Sequence, residues 1–361
     1  MSRARRSART RSALAAVAAT LLLAGCAVNE QGDQWSELEG TLDGAGSSAQ
    51  GAAQDAWIAG FQRQNARVTV NYDPAGSGAG REQFLVGAVG YAGSDSALSA
   101  KEQEGELARC RGGAGAVNLP LYLSPIALAY HVPGVDELRL DAAAVAGIFT
   151  GDIEYWNDPA LAALNPDADL PELRISAVHR SDDSGTTRNF TEYLADAAPE
   201  AWPHEPADAF PVSNGEAAQG NSGIAAVIRD GVGVIGYVDA SRAVGLDVAS
   251  LAVGDGFVAP TADSAAAIID ASPMEAGRAD DDLVVDVQRD ASEGEVYPLV
   301  LVSYVIACRE YADPDEGELV RAYLEWAASA EGQQQAAADA GSAPLSEGMA
   351  ERVRAVVDAI R

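Results

Sequence analysis

Strand-like and helix-like segments alternate along most of this 361-residue chain, and the alternation limits the folds open to it. Runs rich in β-branched and aromatic residues predict strands at 68–72, 121–130, 175–178, 234–238 and 299–307. Amphipathic runs predict helices at 81–89, 142–149, 186–194 and 318–328. This order favours an α/β fold with mostly parallel sheets. No linker divides the sequence into consecutive domains, so the chain is free to cross between two lobes more than once. Residues 260–295, rich in Ala, Asp and Ser, are predicted to be an irregular surface segment.

The N-terminus is predicted to be a targeting segment rather than part of the fold. Residues 1–25 combine an arginine-rich start with a short apolar run, which is typical of a signal peptide and too short to span a bilayer. The ending Leu-Ala-Gly-Cys at 23–26 resembles a bacterial lipobox, in which Cys26 would be lipidated. Residues 26–40 would then be the lipid anchor and a polar tether. An ordinary signal peptide with an incidental cysteine is the alternative.

The two remaining cysteines, Cys110 and Cys308, predict a disulfide bond. If Cys26 carries lipid, they form an even pair in an oxidising compartment outside the cytoplasm. Two buried free thiols are the alternative.

The charge balance excludes one class of function. Lys and Arg total 24 against 54 Asp and Glu, a net charge of −30. Such a chain is not expected to bind nucleic acid or an anionic membrane through a basic surface. Any membrane attachment would therefore depend on lipid alone.

Four short stretches nevertheless combine glycine with Ser, Thr or Asp, at 44–50, 76–80, 92–98 and 182–187. Three of them stand immediately before a helix-like run. The N-terminus of a helix offers unpaired N–H donors and a partial positive charge, glycine lets an anion approach the backbone, and hydroxyls add donors. Each stretch alone also fits an ordinary helix cap, and none has the Gly-Lys-Ser/Thr of a P-loop. Together they predict a site for a small oxyanion.

The spaced combination of these loops with five further segments resembles the phosphate-binding protein of the bacterial Pst phosphate ABC transporter. The segments are NLPLYLSPIALAY at 118, IFTGDIEYWNDPALAALNP at 148, VHRSDDSGTTRNFTEYL at 178, GNSGIAAVIRDGVGVIGYV at 220 and YPLVLVSYVIA at 297. The resemblance covers nearly the whole mature chain. It implies a type II periplasmic-binding-protein fold, with two α/β lobes joined by crossing strands and a ligand cleft between them. Lobe one would comprise residues 41–118 plus 297–361, and lobe two residues 119–296.

The resemblance also implies a set of phosphate ligands and partners. The ligands would be Ser48, the amide of Ala49, Ser77, Asp95, Arg180, Ser184, Gly185 and Thr186. Asp182 would orient Arg180, and Ser47 is an alternative donor to Ser48. A monomer that binds inorganic phosphate outside the cell membrane and passes it to permease and ATPase subunits is implied, with no cofactor, no metal and no catalysis.

Asp95 would discriminate between oxyanions. A carboxylate repels a bound anion unless that anion donates a proton to it, and phosphate carries a P–OH near neutral pH whereas sulfate has no proton to give. A turn or cap aspartate is the bland alternative.

Some features depart from the family pattern or leave other functions open. Asp183 stands where glycine is common and would weaken anion binding if it pointed inward. Ala49 replaces a ring that would cover the ligand.

The Tyr155–Trp156 pair is interpreted as structural rather than as a sugar platform. The rival functions are a binding protein for another oxyanion, a secreted phosphatase with Ser77 or Asp95 as nucleophile, and a scavenging lipoprotein without a permease.

Overall fold

A mixed sheet of nine strands organises the chain in the computed structural model, which describes residues 38–289 and 296–361. The strands are β1 Gly40–Gly46, β2 Val68–Asp73, β3 Tyr91–Ser94, β4 Ala116–His131, β5 Arg139–Leu140, β6 Ser176–Arg180, β7 Glu216–Ala218, β8 Val234–Asp239, β9 Asp247–Val248, β10 Ser250–Val253, β11 Gly256–Val258 and β12 Val300–Cys308. The strand order in the large sheet is β2-β1-β3-β12-β4-β8-β6-β7, and β9 pairs with β4 beside this path. Strands β5, β10 and β11 form a small second sheet. The α/β prediction is confirmed, but the prediction of mostly parallel sheets is wrong, because five of the ten strand pairings in the described residues are antiparallel.

The helices follow the strands in alternation, as the sequence predicts. They are α1 Gly51–Gln64, α2 Ser77–Leu85, α3 Ala100–Gln103, α4 Ala142–Thr150, α5 Pro159–Leu164, α6 Gly185–Ala197, α7 Gly220–Asp230, α8 Ala262–Ala271, α9 Pro314–Ala327, α10 Ala330–Ala340 and α11 Glu347–Val357. Side-chain caps explain several starts, since Asp141 accepts from Ala144 N–H and Ser184 accepts from Thr187 N–H.

The two strands in the middle of the sheet connect its two ends. The first ten residues of β4 pair with β12, and its last six, from Ile126 to His131, pair with β8. These pairings are antiparallel, whereas β1 with β2 and β3, and β6 with β7 and β8, pair in parallel. One long strand therefore belongs to both ends. Because β4 runs in the same direction as β3 and opposite to β8, the two groups of parallel strands run in opposite directions, and their carboxyl ends face each other across the middle of the sheet.

The predicted disulfide is confirmed. Cys110 is bonded to Cys308 with their Cα atoms 5.2 Å apart. Cys308 is the last residue of β12, so the bond fixes the end of a central strand to the segment that leads into β4.

The segment after residue 260 is more ordered than its composition suggests. Helix α8 begins with a reciprocal cap between Thr261 and Ser264, and Ile268 and Ile269 are buried beneath it. Leu283 donates its N–H to the carbonyl of Asn118 at 3.0 Å, so this segment packs on β4. Small residues hid the apolar face, and the prediction of an irregular surface segment is wrong for residues 262–271.

Two sequence predictions concern aromatic residues and the N-terminus. Trp156 is buried and donates its indole N–H to the carbonyl of Gly233 at 3.1 Å, whereas Tyr155 is 43% exposed, so the pair forms no flat platform.

The signal peptide, the lipidated Cys26 and most of the tether lie outside the described residues. Within the described ranges no helix is long and apolar enough to cross a membrane.

Candidate functional site

The four glycine-rich loops predicted from the sequence meet where the carboxyl ends of the two groups of parallel strands face each other. They follow β1, β2, β3 and β6, at the carboxyl ends where ligands of open α/β sheets bind. The N–H of Asp95 donates to Ser77 Oγ at 3.1 Å, and Thr186 Oγ1 donates to the Asp95 carboxylate at 3.0 Å. Loops far apart in sequence therefore contact one another directly.

Three serines of these loops keep a hydrogen to donate. Ser48 Oγ accepts from the N–H and side-chain amide of Asn221 at 3.1 and 3.0 Å. Ser77 Oγ accepts from the Asp95 N–H, and Ser184 Oγ accepts from the Thr187 N–H at 3.3 Å. Over residues 38–289 and 296–361, none of the three hydroxyls donates to a protein acceptor. All three are buried, so they form a set of neutral donors for an oxyanion.

Arg180 supplies the positive charge of the site. Its side chain is 1% exposed, and two of its nitrogens, Nε and Nη2, bond the two carboxylate oxygens of Asp182. The third, Nη1, lies 3.4 Å from Thr186 Oγ1. Partial burial opposes ionisation of Asp182, but the hydrogen bonds and charge of Arg180 outweigh it, so the pKa of that carboxyl is lowered. The bidentate contact with Asp182 fixes the plane of the Arg180 guanidinium.

Asp95 is the one carboxylate among these donors. It is 3% exposed, and its Oδ1 accepts from the hydroxyls of Ser47 and Ser303, the latter at 2.5 Å. Its Oδ2 accepts from Thr186. Burial raises the pKa of Asp95, while the three hydroxyl donors and the nearby charge of Arg180 act in the opposite direction. The site therefore combines a buried hydrogen-bond acceptor with several donors.

Glycine allows the two sides of the site to approach closely. A Cβ atom on Gly185 would lie 2.6 Å from the Cβ of Asp95, and one on Gly76 would lie 2.5 Å from a carboxylate oxygen of Asp182. Gly76 also has φ of +108°, which favours glycine. Ordinary side chains at these positions would hold the loops apart.

Further contacts close the edges of the site. Arg81 of α2 forms an ion pair with Asp208 at 2.6 Å, and both side chains are mostly buried. The N–H of Gly78 donates to the carbonyl of Asp183 at 3.1 Å. The Asp183 side chain is exposed, and Ser184 rather than Asp183 caps α6.

The structure brings the four predicted loops together and adds neighbours that the sequence did not single out. The Ala49 N–H, predicted as a ligand, donates to Ser47 Oγ at 3.1 Å. Asn221 was missed, although it follows a glycine at the start of a helix as the other donors do. Ser303 was also missed, and its only signal was a polar residue inside the apolar run of β12.

The site has no arrangement typical of metal chemistry. In the described part of the chain, no three His, Cys, Asp or Glu side chains are grouped to hold a metal ion. His179, next to Arg180, stacks on Phe210 with ring centroids 4.3 Å apart. What the arrangement can do is hold a small tetrahedral oxyanion with hydroxyls, one guanidinium and one carboxylate acceptor.

Comparison with known proteins agrees with this geometry. The family model described as a PBP superfamily domain matches residues 31–331. The phosphate-binding protein PstS2 of Mycobacterium bovis is 38% identical over 327 residues, which cover 88% of this chain and 87% of that protein. A periplasmic phosphate-binding protein, PfluDING, solved with bound phosphate, has the same fold with a TM-score of 0.70 at 23% identity, covering 88% of this chain and 93% of the other. A putative phosphate ABC transporter substrate-binding protein from Clostridium perfringens, also with bound phosphate, has a TM-score of 0.59 at 17% identity, covering 83% and 98%.

Proposed function

Since the chain belongs to the PBP superfamily and, within it, to the phosphate-binding proteins PstS, we propose that it binds inorganic phosphate outside the cytoplasmic membrane and delivers it to an ABC permease for import. Phosphate would be enclosed between the four loops. The permease and its ATPase subunits would be the protein partners, and the binding protein would act as a monomer.

One observation carries the proposal: a buried carboxylate stands among donors that are free to bind an oxyanion. Ser48, Ser77 and Ser184 each keep a hydrogen to donate, and Arg180 adds charge. Asp95 adds an acceptor. Its two oxygens receive three protein hydroxyls, and a carboxylate has about four acceptor positions, so one position remains that an anion can use only if it carries its own proton. Phosphate has both charged oxygens and a P–OH near neutral pH, so it fits both parts, whereas sulfate fits only the donors.

The proposed ligands come from both ends of the large sheet. Lobe one, which comprises residues 41–118 plus 297–361, would contribute Ser48, Ala49, Ser77 and Asp95. Lobe two, residues 119–296, would contribute Arg180, Ser184, Gly185 and Thr186. The central strands β4 and β12 connect these parts, so bending near them would open and close the cleft. The permease would recognise the closed form.

Attachment to the outer face of the cell membrane is proposed through lipid on Cys26. The lipobox-like ending at 23–26 supports it. Cys26→Ala should release the protein from the membrane fraction into the medium, and wild type that carries no lipid by mass spectrometry would contradict the anchor.

Binding without turnover is proposed as the chemical role. A phosphatase needs an activated nucleophile or a metal cluster, and the described residues offer no grouped metal ligands. Incubation with a phosphate ester should release no phosphate above background.

Calorimetric titration tests the main proposal. The mature domain lacking Cys26 is stripped of ligand and titrated with phosphate and with sulfate, as wild type and as Asp95→Asn. Wild type should bind phosphate and not sulfate, and the variant should lose much of this preference because an amide can donate to sulfate. An absence of phosphate binding by wild type would leave the four loops as helix caps and nothing more.

A further inference from the structure

The hydroxyl of Ser303 has only one direction in which its hydrogen can point. Gln50 Nε2 lies 2.8 Å from Ser303 Oγ and 2.9 Å from the carbonyl oxygen of Tyr304. A carbonyl only accepts, so the nitrogen of the Gln50 amide must face this side and must donate to Ser303 as well. Ser303 therefore uses its lone pair for Gln50 and its hydrogen for Asp95, 2.5 Å away.

The orientation of Gln50 is fixed in turn by groups further inside the protein. Its Oε1 accepts from Gln54 Nε2 at 2.9 Å. The Gln54 Oε1 accepts from the hydroxyls of Tyr323 and Tyr91 at 2.7 and 3.1 Å. All of these side chains are buried, so water does not compete for these hydrogen bonds. The result is a one-way chain of hydrogen bonds that runs from the core to Asp95.

The other two hydroxyls on Asp95 are constrained in the same way. Ser47 Oγ accepts from the N–H groups of Ala49 and Gln50 at 3.1 and 3.3 Å, so its hydrogen is left for Asp95. Thr186 Oγ1 has two side-chain N–H groups at 3.4 Å and likewise donates to Asp95 at 3.0 Å. Every hydroxyl around this carboxylate is a donor to it, and a hydroxyl that accepted a hydrogen from Asp95 would leave its own hydrogen without that acceptor.

We propose that Ser303, oriented by Gln50, is a positioning residue that holds Asp95 as a proton-free acceptor and thereby sets the selectivity for protonated over unprotonated oxyanions. This inference rests on the proposed phosphate-binding function and extends it to residues outside the ligand loops. A protonated Asp95 would donate a hydrogen, and the site would then fit sulfate as well as phosphate. The chain of donors prevents this state, because a proton on Asp95 would point at another donor or displace it.

The Ser303 hydroxyl acts directly on the pKa of Asp95. Burial raises the pKa of this carboxyl, and the Ser303 hydroxyl is the largest of the influences that lower it, ahead of Ser47, Thr186 and the charge of Arg180. Removal of the Ser303 hydroxyl leaves burial less opposed, so the pKa of Asp95 rises further.

Other charged groups around Asp95 stay in place when Ser303 changes. Arg180 approaches from β6 with Asp182 behind it, and Tyr72 interacts from β2. Asp95 also borders a cavity of about 360 Å³. The charged and titratable groups that line this cavity are Arg81, Glu102, Arg188, Glu192, Asp196, Asp208, Glu275, Asp286, Arg289 and Tyr304. Ser303 Oγ bonds instead to Gln50 and Asp95, so a pH shift in the variant reports on Asp95.

The test compares Ser303→Ala with Ser303→Cys and with Ser124→Ala as a matched control. Ser124 is another buried serine of the central strands, and it donates to the carbonyl of Pro125. Phosphate and sulfate affinities are measured by calorimetry in steps between about pH 5 and pH 8.5, a range that brackets a raised carboxyl pKa. Because all variants share each buffer, the ionisation of phosphate itself cancels from the comparison.

The expected result is a shift in the pH profile. In Ser303→Ala, the pH below which selectivity for phosphate over sulfate is lost should rise by about one unit or more. The phosphate-to-sulfate affinity ratio near pH 6 should fall by about tenfold or more. Ser303→Cys should shift less, since a thiol is a weaker donor that fills the same space. Ser124→Ala should match wild type.

Three results would overturn the inference. The Ser303→Ala profile could coincide with that of wild type. Phosphate and sulfate affinities could fall together at every pH, which is what a merely structural role predicts. Wild type could fail to bind phosphate, which removes the proposed function as well and is thereby distinguished from the first two. Melting temperature measured for each variant identifies any loss of folding, and the graded Ser303→Cys variant keeps the test decisive if Ser303→Ala does not fold.

Discussion

Replacing Gly185 with alanine should separate folding from ligand binding in this protein. The new Cβ would lie 2.6 Å from the Cβ of Asp95 and 2.8 Å from its carbonyl carbon, whereas ordinary contact begins at 3.4 Å. The two loops must therefore move apart by about 1 Å. Two hydrogen bonds between them, from Asn189 Nδ2 to the Asp95 carbonyl at 2.8 Å and from Thr186 to the carboxylate at 3.0 Å, would stretch beyond hydrogen-bonding distance.

The loss of binding free energy follows from those two hydrogen bonds. A hydrogen bond to a charged group contributes about 1.5–3 kcal/mol and a neutral one about 1 kcal/mol, so closure would lose about 3 kcal/mol. That corresponds to phosphate binding weakened by roughly a hundredfold. In the open form that the proposed bending near β4 and β12 implies for the ligand-free protein, the two loops are apart and these bonds are not made. Gly185→Ala should therefore leave the stability of that form unchanged or raise it by up to about 1 kcal/mol, because Gly185 is the first residue of α6 and has no positive φ.

Calorimetric titration with phosphate and denaturant unfolding without ligand measure the two effects. Gly223→Ala is the matched control, since it makes the same change near the start of α7, where a Cβ would meet its nearest neighbour at 3.6 Å. It should leave phosphate affinity unchanged. If Gly185→Ala binds phosphate as wild type does, the close approach of Gly185 to Asp95 is not required for binding, and the reasoning fails.

Three further predictions concern the ion pair beside the site, the disulfide and a buried carboxyl. Asp208→Asn and Arg81→Met should each weaken phosphate binding by about tenfold in calorimetry, because this mostly buried ion pair spans the two sides of the site. The double variant should lose no more affinity than either single variant, and additive losses would contradict the pairing. Replacing both Cys110 and Cys308 with serine should lower the free energy of unfolding by about 5 kcal/mol, because the disulfide closes a loop across a separation of 198 residues. Phosphate affinity should not change, and a double variant as stable as wild type in denaturant would refute the prediction. Burial raises the pKa of Asp239 to about 6, so the folded state holds a proton that the unfolded state loses, and stability should fall by about 3 kcal/mol as pH rises from about 4 to about 6 and then level off. Asp239→Asn should abolish that slope in denaturant titrations, and an unchanged slope would assign it to other groups.

The sequence determined those features that depend on neighbours along the chain. Strand and helix alternation is a local pattern, and the structure confirms it at β2, β4, β6, β8 and β12. Glycine and hydroxyl residues before a helix have a local reason as well, so the Ser184 cap and the loop around Ser77 could be predicted. The disulfide followed from the count of cysteines, because only one pairing was left once Cys26 was set aside.

Other features depend on which distant segments pack together, and the tertiary structure decided them. Ser303 is 208 residues from Asp95, and Asn221 is 173 residues from Ser48. Neither partner is implied by spacing, because each contact follows from the order of strands in the sheet. The sequence also could not tell which hydroxyls keep a hydrogen for a ligand and which donate to Asp95. That depends on whether the remaining partners of each hydroxyl are donors or acceptors, and only the folded arrangement brings those partners within hydrogen-bonding distance.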